Sequence, residues 1–202
     1  MRPDPRVGEP GIMRLFAALF PDAEAVRELE RAVRPLRALP GDGAGRVRWT
    51  PVTGWHLTLA FYGEVPDELV PTLRGRLAAV AAARPGCTLR LAGGGRFGDR
   101  ALWAGVAGDT GELMALAAAA RDTGRALGLL PDARPEYVPH LTVALTGRRA
   151  PAPLAPYAER LAGFAGRPWT AGELVLVRSE TSPEGSRYAT EASWPLAGGR
   201  PG

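Results

Sequence analysis

The sequence predicts an α+β fold made of two similar lobes that face each other across a cleft. Three observations carry this. A strictly alternating stretch occurs twice, as His56-Leu57-Thr58-Leu59-Ala60-Phe61-Tyr62-Gly63 and as His140-Leu141-Thr142-Val143-Ala144-Leu145-Thr146-Gly147. Segments with helical periodicity and helix-capping residues separate the extended ones. The order strand, helix, His strand, helix, strand recurs roughly twice, with the histidines too far apart for a short solenoid repeat. A duplicated, pseudo-twofold lobe fits these facts. Because the His strands alternate, each lobe is expected to hold a mostly antiparallel sheet with helices on its outer face.

The elements follow in chain order. Residues 1–12 hold three prolines, two glycines and no periodicity, the pattern of a flexible leader, and Met13 is a second candidate start. Arg14 to Phe20 reads as a strand. Asp22 is an N-cap for a helix with Val26, Leu29 and Val33 on one face, and Pro35 ends it. Pro40 to Gly45 is a glycine-rich loop, and Arg48-Trp49-Thr50-Pro51 leads into the first His strand at about 55–62, closed by Gly63. Pro66-Asp67 opens a second helix with Leu69, Leu73, Leu77 and Val80 inward. Thr88 to Leu91 is a short strand that Gly93-Gly94-Gly95 ends in a turn. Ala101 to Ala107 is the next strand. Asp109 and Glu112 form a capping box for a helix carrying Leu113, Leu116, Ala120 and Leu127, which stops at Gly128. Three prolines (131, 135 and 139) deliver the second His strand, and Pro156 to Leu161 is a short helix. Leu174 to Ser179 and Arg187 to Trp194 form a hairpin around Ser182-Pro183-Glu184-Gly185. The folded domain thus runs from 13 to 197, with 198–202 as a tail.

The totals narrow the function. The chain has 202 residues, a hydrophobic fraction of 46% and a charged fraction of 23%, ordinary values for a globular protein. No apolar run reaches the roughly 20 residues that span a bilayer, so no membrane partner is expected. Cys87 is the one cysteine, which removes an internal disulfide and reads as a buried structural thiol; the cytoplasm is the default location. The net charge is +4 and every basic residue is Arg. Without lysine there is neither Schiff-base chemistry nor a P-loop lysine. The basic balance permits a nucleic-acid partner without requiring one.

Chemistry concentrates in the repeat. The chain contains two histidines, and each heads one copy. In a strand, residues two apart share a face, so His56 with Thr58, and His140 with Thr142, present an imidazole and a hydroxyl together. A lone strand histidine is usually structural. A purely structural unit gives little reason to place His at the same position twice. Imidazoles titrate near neutrality, so one can take a proton while the other donates one. Thr hydroxyls can hold the non-bridging oxygens of a phosphate. The set suits in-line displacement at phosphorus. A zinc site needs three or four ligands, and two histidines without a cysteine cluster supply too few. The serines sit in no GxSxG context. No metal or cofactor is expected.

These residues carry a resemblance. His56-Leu57-Thr58-Leu59 and His140-Leu141-Thr142-Val143 resemble the paired HxTx motifs of the 2H phosphoesterase superfamily. Closer still, the chain is similar to RNA 2′,3′-cyclic phosphodiesterases, also called 2′-5′ RNA ligases. Met13 to Leu19 resembles that family's opening strand, Trp55 to Val65 its first motif block and Leu102 to Val106 its central strand. Pro139 to Ala144 and Leu176 to Trp194 follow in order. The resemblance implies a bilobal fold with both HxT pairs lining the cleft. It also implies metal-independent hydrolysis of an RNA terminal 2′,3′-cyclic phosphate to a 2′-phosphate, with 2′-5′ ligation as a related reaction. His56 would then protonate the departing 3′ oxygen and His140 would activate water, an assignment that pseudo-symmetry allows to be exchanged. Thr58 and Thr142 would bind the phosphate. One departure stands out: members often carry Arg directly after the second motif, where this chain has Leu145, with Arg148 and Arg149 nearby. Glu136-Tyr137-Val138 also differs from the usual aromatic-basic approach.

The expected partner is an RNA or nucleotide ending in a 2′,3′-cyclic phosphate, met by a monomer. Two other readings stand beside it: a cyclic phosphodiesterase for a small nucleotide such as an ADP-ribose cyclic phosphate, and a non-catalytic RNA-binding module. Phe16, Tyr62 and Tyr137 are candidates to stack on a base, with core packing the commoner role. Arg48, Arg96 and Arg134 are candidates to guide RNA.

Overall fold

Alternation in the sequence becomes a sheet buried unequally on its two faces. The computed structural model describes residues 11–39, 47–129, 137–147, 152–182 and 185–198. Within them lie β1 (Ile12–Leu19), α1 (Ala23–Val33), β2 (Val47–Trp49), β3 (Leu57–Pro66), α2 (Val70–Ala82), β4 (Cys87–Phe97) and β5 (Ala101–Gly108). There follow α3 (Thr110–Ala126), β6 (His140–Thr146), α4 (Ala155–Leu161), β7 (Trp169–Ala171), β8 (Glu173–Ser182) and β9 (Gly185–Pro195). The fold is α+β: the strands form one curled sheet in the order β7-β4-β5-β6-β3-β1-β8-β9, with β2 added beside β6, and the paired strands run antiparallel. No helix among the described residues is long and apolar enough to cross a membrane.

The sheet order is symmetric about the β6/β3 contact. Outward from it, β5 and β4 match β1 and β8, and β7 matches β9. Each central strand is reached by the same route, β1–α1–β3 on one side and β5–α3–β6 on the other.

Burial explains the strands. On β1, Leu15, Ala17 and Leu19 enter the main core, while Phe16 and Ala18 point to the opposite face. There they meet Val175 and Val177 of β8, with Phe61 packed against them. A strand covered on both faces reads as a continuous apolar run, as Leu15 to Leu19 does. α1 begins at Asp22, whose carboxylate accepts the Ala25 N–H at 2.7 Å. Its C-terminus continues as a 3-10 turn, Arg34–Ala38, with Pro35 in the first turn, where its missing N–H costs nothing. α3 buries small residues, Ala117, Ala120 and Gly124, so it lies close on β3. A Cβ at Gly124 would come 2.9 Å from the Tyr62 ring, and Tyr62 donates its hydroxyl to the Ala120 carbonyl at 3.0 Å.

Four expectations are corrected. β1 begins at Ile12, earlier than Arg14. Gly63 does not close β3: it takes φ 70° inside a strand that runs to Pro66, in step with a register shift against β1. The run Gly93-Gly94-Gly95 is not a turn; it lies within β4, where Gly93 has φ 71° and the pairing with β5 shifts between Leu91 and Gly94. It is a bulge within the strand. Asp109 occupies the N-cap position of α3, but its carboxylate makes no capping bond and accepts the Thr88 N–H at 2.8 Å instead. Gly128, with φ 70°, ends the α3 segment as expected.

Candidate active site

β3 and β6 pair through a single register match, Leu57 with Leu141, and that contact sets the two motifs side by side. Leu57, Leu59, Leu141 and Val143 are buried at 0–2% exposure, so the pleat turns Thr58, His140 and Thr142 to the opposite face. Thr58, His140 and Thr142 line a common cleft of about 730 Å³. His56 is not part of that wall. It stands one residue before β3, more deeply buried.

The two imidazoles are held the same way. His56 Nδ1 lies 2.8 Å from the Gly54 carbonyl oxygen, and His140 Nδ1 lies 2.7 Å from that of Val138. A carbonyl only accepts, so Nδ1 carries the proton in each ring, and in the neutral ring Nε2 is the nitrogen that can accept one. In both cases the anchor is the backbone two residues upstream.

Their surroundings differ. His56 packs against Phe16 at 4.8 Å between ring centroids, Tyr188 at 5.2 Å and Phe20 at 5.9 Å. Burial there lowers its pKa from 6.5 to about 4, against the Gly54 hydrogen bond, which favours the charged ring; the charge of His140 lowers it further. At neutral pH His56 is therefore neutral in the free protein. His140 meets Phe97 edge-on at 4.8 Å and Trp103 at 6.2 Å.

Tyr137 connects the halves. Its hydroxyl donates to the Thr58 carbonyl at 2.9 Å, tying the segment that carries His140's anchor to the first motif. Phe16 and Tyr62 are core residues, 3% and 2% exposed. Of the arginines picked from the sequence, Arg48 is the exposed residue of β2 and Arg96 donates to the Gly98 carbonyl and to Asp99. Neither lines the cleft. Arg134, Arg148 and Arg149 lie outside the described residues, as does Glu136. The arginines that do line it are Arg14, Arg100 and Arg121, which sequence reasoning missed because none stands near a motif in the chain. Leu145, 40% exposed, lies on the cleft wall opposite Ala101. Cys87 is buried, and burial raises its pKa to about 11, so it is an inert thiol. Among the described residues no group of three or more His, Cys, Asp or Glu side chains gathers as a metal site.

A sequence profile of the 2′-5′ RNA ligase superfamily matches residues 21–183. The chain belongs to this superfamily. It is similar to an RNA 2′,3′-cyclic phosphodiesterase of Geobacillus stearothermophilus, 34% identical over 86% of this chain but only 56% of that relative's length. A Thermus thermophilus RNA 2′,3′-cyclic phosphodiesterase is 33% identical over 92% of this chain and 91% of its own. The crystal structure of E. coli LigT in complex with 3′-AMP superposes with a TM-score of 0.73, at 25% identity, over 92% of this chain and 99% of that one. Superfamily membership thus agrees with the fold and with the paired HxT strands.

Proposed function

We propose that the protein hydrolyses the 2′,3′-cyclic phosphate at an RNA end to a 2′-phosphate, with the two imidazoles as general base and general acid. The observation that carries this is the matched pair of rings, each anchored through Nδ1 to the backbone two residues upstream, with His140 beside the Thr58 and Thr142 hydroxyls at the cleft and His56 two residues before Thr58 in the first motif. The names of the Geobacillus and Thermus relatives support the substrate.

One imidazole takes a proton from water as the oxygen attacks phosphorus. The P–O3′ bond breaks, and the other imidazole, entering charged, gives its proton to O3′. The threonine hydroxyls donate to the non-bridging oxygens, where charge builds in the transition state. No step draws on a metal. With a 5′-hydroxyl in place of water, the same displacement becomes 2′-5′ joining. We assign His140 as base and His56 as acid. His56 is neutral in the empty site, so the arriving phosphate anion must charge it; a nearby negative charge raises imidazole proton affinity. A lone buried thiol fits a reducing cytoplasm.

The test is cleavage of a short RNA bearing a 2′,3′-cyclic end, with EDTA present, by wild type, His56→Ala and His140→Ala. Wild type should yield a 2′-phosphate, and each variant should lose about 10²–10⁴-fold. An inert wild type, or turnover abolished by EDTA alone, overturns the proposal. A substrate whose 3′ leaving atom is sulfur needs no proton and should rescue His56→Ala; rescue of His140→Ala instead reverses the roles.

A further inference from the structure

Among the described residues lining the cleft, the arginines are Arg14, Arg100 and Arg121, His140 is the one imidazole, and there is no carboxylate. One cyclic phosphate is a monoanion, and the imidazoles and threonines already answer its charge. The arginines exceed what that one group needs.

Their placement is not central. Arg14 is four residues along β1 from Ala18, the cross-strand partner of Thr58, which puts it about 13 Å along the strand from the motif at about 3.3 Å per residue. Arg100 precedes Ala101, the partner of Leu145. Since β3 and β6 run antiparallel through Leu57 and Leu141, these two arginines mark opposite ends of the cleft. The Arg14 end is the more fully built. Its guanidinium lies 5.0 Å from the Phe61 ring centroid, which holds the plane while leaving N–H edges free to turn to an anion. Arg121 of α3 and Tyr137 line the same cleft; burial holds the Tyr137 phenol well above its usual range, and the positive charge of the nearby Arg121 offsets part of that. Glu64, the cross-strand partner of Arg14, is exposed and is not part of the cleft wall.

We infer that the Arg14–Phe61 end of the cleft, with Arg121, is a second phosphate subsite, so that the preferred substrate carries a phosphate one nucleotide from the cyclic one. This rests on the hydrolysis proposed above. The shared chemistry is a phosphate on the 5′ side of the terminal nucleoside, present either as an internal phosphodiester or as a free 5′-phosphate. A planar guanidinium meets both with paired N–H donors.

The experiment compares three substrates: a nucleoside 2′,3′-cyclic phosphate, the same nucleoside with an added 5′-phosphate, and a dinucleotide ending in the cyclic phosphate. Wild type should favour the second and third over the first by about tenfold or more in kcat/KM, mostly through KM. Arg14→Gln should erase that preference and Arg14→Lys should keep part of it. Arg14 is exposed, so neither change disturbs the core. Preference for the dinucleotide alone assigns the subsite to an internal diester; equal preference for both assigns it to any 5′-phosphate. Equal turnover of all three by wild type, or an unchanged preference in Arg14→Gln, overturns the subsite and leaves the hydrolysis standing. No turnover of any substrate instead sinks the hydrolysis itself.

Discussion

Lowering the pH from 7.5 to 4 should cost the native protein up to roughly 3 kcal/mol through His56 alone. The ring sits among Phe16, Phe20 and Tyr188, and its pKa falls from 6.5 to about 4. At 1.36 kcal/mol per pH unit, the protonated form is disfavoured by roughly 3 kcal/mol. As pH falls through 6.5 the unfolded chain takes the proton, whereas the native ring waits until about pH 4. Between these values the unfolded state binds more protons, so stability drops as pH drops. Above 6.5 both states are neutral and the effect vanishes; below 4 the loss is complete. His56→Asn keeps an N–H for the Gly54 carbonyl but has nothing to titrate. Urea unfolding of both proteins at pH 7.5, 6, 5 and 4 isolates the contribution, because the carboxylates change alike in each. The chain has only two histidines, so NMR offers a direct reading from two Cε1–H resonances. Parallel stability curves, or a His56 resonance titrating near 6.5, would refute the desolvation argument.

Further outcomes are expected. Thr58→Val and Thr142→Val keep shape but remove a hydrogen bond to a charged phosphate, which should lower kcat/KM about ten- to a hundredfold with little change in melting temperature. Tyr137→Phe deletes only the bond to the Thr58 carbonyl; unfolding should show a loss of about 1 kcal/mol, and steady-state kinetics a several-fold lower kcat at unchanged KM. An unchanged kcat would leave Tyr137 a purely structural tie. At Gly94, an added Cβ would overlap Leu161 and crowd the Ala158 carbonyl at 3.1 Å. Gly94→Ala should therefore destabilise by about 1–3 kcal/mol, read as a fall of several degrees in a thermal melt.

The parts of the site that obey local rules were legible in the sequence. Period-two alternation put His140 and Thr142 on one face, and the buried Leu141 and Val143 beside them match that reading, whereas His56 stands ahead of β3 and outside the wall that Thr58 lines. Helix boundaries at Asp22 and Gly128 were set by residues acting on their own neighbours. What failed depended on partners distant in the chain. Asp109 and Glu112 have capping-box spacing, yet the Thr88 N–H, 21 positions away, takes the Asp109 carboxylate. The triple glycine looks like a turn, but α4 and Trp103 press on Gly94 and Gly95 too closely for any side chain, which is why the strand needs glycine there. Short β2 and β7 gave no signal because three residues carry no period. The cleft arginines were hidden for the same reason: Arg14, Arg100 and Arg121 come to one cleft only through the packing of β1, β5 and α3 around β3 and β6.

The mirrored strand order has a consequence for how the chain is made. Strands β4, β5, β6 and β7, the His140 side, come from one continuous stretch, 87–171, whereas the His56 side draws β1 and β3 from the beginning and β8 and β9 from the end. On the ribosome the second side can be complete while the first still lacks half its strands. Until β8 emerges, β1 has an open edge beside Phe16 and Ala18, an apolar margin that invites pairing with other chains. Strands β8 and β9 thus finish the pocket around His56 and also cover an apolar edge of β1.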